Sequence, residues 1–151
     1  MDIEALRDYC LTKACVTEET PFGPDILVMK ILGKIFCLFS ISNFESVNLK
    51  CDPEEAEELR ANYMSIQPGY HMSKKHWNTI TFHQDVNDQL ILKMVDDSYR
   101  LVLGSLPLKA QQAIDETLYG FIKRLSNIQR KPCTFHLLFD VSHQRQFLLL
   151  T

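Results

Sequence analysis

Two apolar runs, Ile26–Leu32 and Lys34–Ile41, meet at Gly33. No other feature restricts the fold as much. Two strand-length apolar runs split by a single glycine are a short hairpin signal, and a hairpin commits the chain to an antiparallel sheet. Ser46–Cys51 then alternates, with Val47, Leu49 and Cys51 on one side and Asn48 and Lys50 on the other. The three segments read as an antiparallel meander with one buried face.

Helix signals frame this meander. Asp2 can cap a first helix whose face carries Ile3, Leu6 and Cys10, ending near Lys13. The polar run Thr17–Thr20, followed by Pro21, Gly23 and Pro24, reads as a loop. After the meander, Asp52 is an N-cap, Pro53 suits N1, and Glu54 and Glu55 favour the positive end of the helix dipole. Ala56, Leu59 and Tyr63 form the buried stripe of this helix, leaving Glu54, Glu57, Glu58 and Arg60 in water. A short strand at Ile66–Gln67, the Pro68-Gly69 turn, a polar loop and a strand at Trp77–His83 follow. Asn87 or Asp88 opens a longer helix with Ile91, Met94, Val95, Ser98 and Val102 facing inward, stopped by Gly104 and Pro107. Beyond it, Ala110, Ile114, Leu118, Phe121 and Leu125 keep helical spacing, and Cys133–Val141 with Gln146–Thr151 reads as a hairpin turning at Ser142–Arg145.

Bulk properties narrow the function classes. A chain of 151 residues with 46% hydrophobic content can bury one real core. A net charge of −3 excludes a general nucleic-acid coat, so any phosphate binding needs a segregated basic face. The five cysteines are odd in number and form no C-x-x-C pair, which points to reduced packing thiols and a cytoplasmic location. The N-terminus, with Asp2 and Glu4, does not resemble a signal peptide, and the apolar stretch Ile31–Ile41 is cut by Lys34 and too short to span a bilayer.

The densest stretch in binding-type side chains is Ile66–Thr79, which holds the single Trp, a Pro-Gly turn, two histidines and the Lys74-Lys75 pair. No Asp or Glu occurs from Leu59 to Gln84. This basic island follows an acidic helix, and Lys50 joins it if its strand lies alongside. The tail holds a second acid-free run, Thr117–Phe139, with Lys123, Arg124, Arg130 and Lys131. Tyr70 and Trp77 offer aromatic faces for bases or sugars; the competing reading makes them packing groups and the lysines ordinary surface. His71 and His76 lie five apart in a loop, with no zinc-type Cys/His pattern, so no metal is expected. The glycines make no P-loop or dinucleotide fingerprint, and no G-x-S-x-G occurs. The expectation is a non-enzyme without a cofactor.

Val47-Asn48-Leu49-Lys50-Cys51-Asp52-Pro53-Glu54-Glu55-Ala56, the run from Pro68 to Thr79, and Asp96-Asp97-Ser98-Tyr99 near a D-x-S-Y pattern together resemble the MmcQ/YjbR family of small bacterial proteins. The likeness covers residues 1–108. It implies a helix, three strands, a helix, two strands and a helix, a fold compared with frataxin-like and secretion-chaperone-like proteins. The expected architecture is therefore α+β in two layers, an antiparallel sheet with helices on one face in the order α-β-β-β-α-β-β-α. A C-terminal extension over residues 109–151 adds a helix and a hairpin, packed on the domain or at a dimer interface. The resemblance also implies DNA binding, a label resting on a proposed double-wing arrangement of hairpins. Taken with the basic island, it gives a candidate site. Lys50, Lys74 and Lys75 would meet phosphates, His71, Asn78 and Thr79 would donate hydrogen bonds, and Tyr70 or Trp77 would stack, with His76 beside them. The alternative is a protein-interaction or chaperone-like adaptor without nucleic acid, in which the same stretch is a recognition loop or a structural turn, and the apolar Phe147–Leu150 run is either buried against the domain or covered by a partner or a second copy.

Overall fold

The computed structural model describes residues 1–116. Helix α1 (Ile3–Leu11) starts at Asp2, whose carboxylate accepts from the Ala5 N–H. Four strands follow, β1 (Val16–Glu19), β2 (Ile26–Ile31), β3 (Lys34–Ser40) and β4 (Ser46–Lys50), then α2 (Pro53–Asn62), β5 (Ile66–Pro68), β6 (Trp77–Thr81) and α3 (Asp88–Gly104). A fourth helix, α4, is described over residues 108–116. The strands form one antiparallel sheet in the order β1-β2-β3-β4-β6-β5. The α+β class and the antiparallel sheet agree with the expectation. The strand at Val16–Glu19 does not: the polar run read as a loop pairs Val16–Glu19 with Ile31–Val28, so the sheet gains an edge strand. Its polarity suits an edge, because Arg7 reaches Glu18 (Nε to Oε2, 2.6 Å) and Lys30 reaches Glu19 at 2.6 Å.

The period-two patterns sort the sheet into two faces. Leu27, Phe39, Val47, Ile80 and Ile66 stand side by side across the strands, as do Met29, Cys37, Leu49, Asn78 and Pro68. This face meets Leu6 and Cys10 of α1 and Ile91, Met94, Val95 and Val102 of α3 in the main core, with Leu59 and Tyr63 of α2 packed against it. Ile114 of α4 is also in that core. The opposite face carries the row Val28, Leu38, Asn48, Thr79 and Gln67, which becomes polar toward β5.

The register slips between Met29 and Lys30, leaving Phe36 as an extra residue on β3. Beyond the Cys37–Leu49 pair, β3 and β4 no longer meet. The hydroxyl of Ser98, on the buried face of α3, fills the gap: it donates to the Phe36 carbonyl at 2.5 Å and accepts from the Lys50 N–H at 2.8 Å. Its neighbours tie α3 to the end of α1. Asp96 accepts from the Tyr9 hydroxyl at 3.0 Å and pairs with Lys13, while the Tyr99 hydroxyl donates to the Ala14 carbonyl at 3.0 Å. The Asp-x-Ser-Tyr motif is thus accounted for by helix docking.

Burial sets thiol reactivity. Cys10, Cys37 and Cys51 are buried and Cys15 is exposed. Burial, reinforced by the Glu55 and Asp52 carboxylates, pushes the Cys51 thiol up to about 12. Iodoacetamide at neutral pH without denaturant is therefore expected to modify Cys15 well before these three, as read by peptide mass mapping. Labelling of Cys51 as fast as Cys15 would contradict its placement under α2.

Among the described residues, no helix is long and apolar enough to cross a membrane. The expected hairpin at Cys133–Thr151 and the second basic run fall outside the described residues.

Candidate nucleic-acid interface

The stretch rich in binding-type side chains becomes β5, β6 and the loop of residues 69–76 between them. Antiparallel pairing holds the loop ends together through Pro68 opposite Asn78. The Gly69 N–H donates to the Trp77 carbonyl at 2.7 Å. A side chain at residue 69 is excluded, since a Cβ there would lie 2.7 Å from the Trp77 Cβ and 3.2 Å from the Met72 Cβ. The loop therefore folds tightly onto Trp77, which is only 9% exposed. Next, the Tyr70 N–H donates to the Thr79 hydroxyl at 3.0 Å, and that hydroxyl donates to Asn48 Oδ1 at 2.6 Å.

Arg60 fixes the loop from the other side. Its Nε donates to Asn78 Oδ1 at 2.7 Å, and its Nη2 donates to the carbonyls of Lys74 at 2.6 Å and Trp77 at 3.1 Å. One rigid guanidinium thus serves two strand residues and the far side of the loop. The sequence pattern placed Arg60 on the wet face of α2; the structure instead turns it inward as the loop's anchor. Nothing in the spacing of its own helix signals this role.

Tyr70, His71, Lys74, Lys75 and His76 are all exposed, and Lys50 is half-buried opposite Trp77. Tyr70 is 73% exposed, and its ring centroid lies 4.0 Å from that of His71. Among the described residues, no ion pair involves Lys50, Lys74 or Lys75. Two expected contacts are corrected. Trp77 has no face free for stacking, because it is buried. Asn78 is fully buried on the core face, where its Oδ1 accepts from Arg60 and its Nδ2 is out of a ligand's reach. Thr79 remains on the outer face, but its hydroxyl already donates to Asn48.

The surroundings limit the reach of this patch. Lys75 shares a cleft with Asp52, Glu54 and Glu57 at the start of α2, so the cationic surface ends abruptly there. A second cleft, between α2 and α3, contains charges that already pair: Lys93 with Asp97 at 2.7 Å and Arg100 with Asp97 at 3.2 Å. Apart from the β5–β6 loop, the hairpin tips that a winged reader would insert into a groove offer little positive charge. Residues 20–25, 32–33 and 41–45 contain no Lys or Arg, and the neighbouring Lys34 donates to the Ser105 carbonyl at 2.9 Å. Among the described residues, no group of three or more His, Cys, Asp or Glu is placed to hold a metal ion.

Comparison with known proteins follows the same core. The family model YjbR matches residues 11–101. YbdF of Escherichia coli O157:H7 is 39% identical over 95 residues, 62% of this chain and 78% of its own length. YjbR of Escherichia coli K12 is 30% identical over 108 residues, 71% of this chain and 92% of its own. The crystal structure of Deinococcus radiodurans protein DR2400, with domain DUF419, superposes with a TM-score of 0.71 at 33% identity, covering 75% of this chain and 87% of that one.

Proposed function

The chain belongs to the YjbR family, and from that premise we propose that it binds nucleic acid without acting on it chemically, through the loop of residues 69–76. One observation carries the reading. Lys74 and Lys75 are held outward, with His71, His76 and Tyr70 around them, on a loop locked from beneath by Arg60. A loop fixed in this way loses little freedom on binding, so its cations reach phosphates at low entropic cost. The small patch fits backbone contacts and weak affinity.

The test is fluorescence anisotropy of a labelled oligonucleotide against salt. Binding should be saturable and weaken as salt rises. The Lys74→Ala, Lys75→Ala double variant should reduce the log–log salt slope by roughly 1 for each phosphate that is no longer neutralised. An unchanged slope removes both lysines from the interface. No saturable binding at low salt overturns the reading and leaves a protein partner as the occupant.

A further inference from the structure

We infer that the ligand of this surface is an unpaired nucleotide, seated on the outer face of β4, β6 and β5 with its base on the Tyr70 ring. The inference rests on the nucleic-acid reading above and specifies what that surface takes. Three features support it.

The first is the aromatic shelf. Tyr70 is the one exposed Phe, Tyr or Trp of the loop, with the His71 ring against it, and its backbone is fixed by the bond from its N–H to Thr79. Stacking on it requires a base with a free face, which a closed duplex does not present.

The second is what lies beside the shelf. Asn48, Thr79 and Gln67 stand in register across three neighbouring strands, so the outer two are about 10 Å apart at the usual strand spacing. Thr79 uses its hydroxyl on Asn48 Oδ1, and Gln67 uses its Nε2 on the Met64 carbonyl. That leaves Asn48 Nδ2 as a donor and Gln67 Oε1 as an acceptor, with no partner for either among the described residues. The donor and the acceptor lie on either side of Thr79, to which the Tyr70 backbone is bonded, and each can meet the edge of a different unpaired base along a strand.

The third is charge and shape. Lys50 lies at one end of this face and Lys74 in the adjoining loop, and no carboxylate belongs to the outward-facing residues of β4, β6 or β5. No described helix presents an acid-free row of cations for a groove; α2, nearest the loop, carries Glu54, Glu55, Glu57 and Glu58. The tips joining β1 to β2, β2 to β3 and β3 to β4 likewise lack cations. The geometry therefore suits a strand lying on a sheet better than a duplex read in its groove.

The experiment compares labelled oligo(dT) of about 20 nucleotides with a hairpin duplex of matched charge, at the same salt, for wild type, Tyr70→Ala and Tyr70→Trp. The expected result is preferential binding of oligo(dT), loss of roughly tenfold in its affinity for Tyr70→Ala, recovery by Tyr70→Trp, and little change on the duplex. Equal affinity for the two oligonucleotides, or an equal loss on both for Tyr70→Ala, overturns this inference while the loop remains a phosphate-binding site. Failure of both oligonucleotides to bind wild type removes the nucleic-acid reading and this inference with it. Circular dichroism checks that the exposed Tyr70 variants fold like wild type.

Discussion

Replacing Ser98 with Ala is expected to destabilise the fold by about 3 kcal/mol and lower its melting temperature by about 10 °C. The side chain is fully buried and satisfies two main-chain groups that the bulge at Phe36 leaves without a strand partner. Removing a hydroxyl from an exposed helix face costs little. Here it strands a carbonyl on β3 and an N–H on β4 where water cannot reach, at about 1–3 kcal/mol for each group. Urea unfolding followed by circular dichroism measures the change. A loss below about 1 kcal/mol would mean that β3 and β4 close up and pair directly once the hydroxyl is gone. Such a result would remove the structural account of the motif's serine.

Arg60→Lys is expected to lower stability by about 2 kcal/mol and to weaken oligonucleotide binding by roughly tenfold. The substitution keeps the positive charge, so a loss of binding reports geometry. A lysine cannot reach Asn78 Oδ1 and the carbonyls of Lys74 and Trp77 together, as the guanidinium does. The buried Asn78 side chain, whose Nδ2 already has no partner among the described residues, then loses its remaining bond. Because charge is conserved, the salt slope should stay near wild type while the affinity falls. The double lysine variant should do the reverse: a reduced slope with stability almost unchanged, since both lysines are exposed. If Arg60→Lys binds like wild type, the loop does not depend on its anchor.

The parts of this fold that were legible in the sequence were those fixed by local chemistry. Asp52 before Pro53 marks a helix start because the carboxylate can accept the Glu54 N–H, as it does at 3.0 Å. Asn87 works in the same way for Leu90 at 2.8 Å. Gly33 supplies a turn with φ of +82° between two apolar runs, although Leu32 beside it also adopts a positive φ. The parts that were not legible depend on partners distant in sequence. Thr17–Glu19 looks like a loop until Arg7 and Lys30 are seen to neutralise its carboxylates. The alternation Trp77, Thr79, Thr81 identifies a face, but not that Trp77 on it is buried while Thr79 and Thr81 are half-buried. Arg60 shares the same limit: helical spacing shows which way it leaves α2, not that three acceptors wait there. The candidate site was therefore legible in its charges and not in its supports.

The strand order carries a consequence for how the surface is assembled. β1 to β4 are joined by short connections, and β5 and β6 form their own hairpin. Within the sheet these two halves are joined along the β4–β6 seam, where Ser46–Lys50 pairs with Thr81–Trp77. Lys50 and Asn48 belong to the first half; Thr79, Gln67 and Tyr70 belong to the second. The proposed binding surface therefore does not exist in either half alone, and opening along the seam dismantles it. A ligand lying across β4 and β6 then acts as a clasp on that join. Its affinity is returned as resistance to opening there, where slowed amide exchange along β4 and β6 would record it.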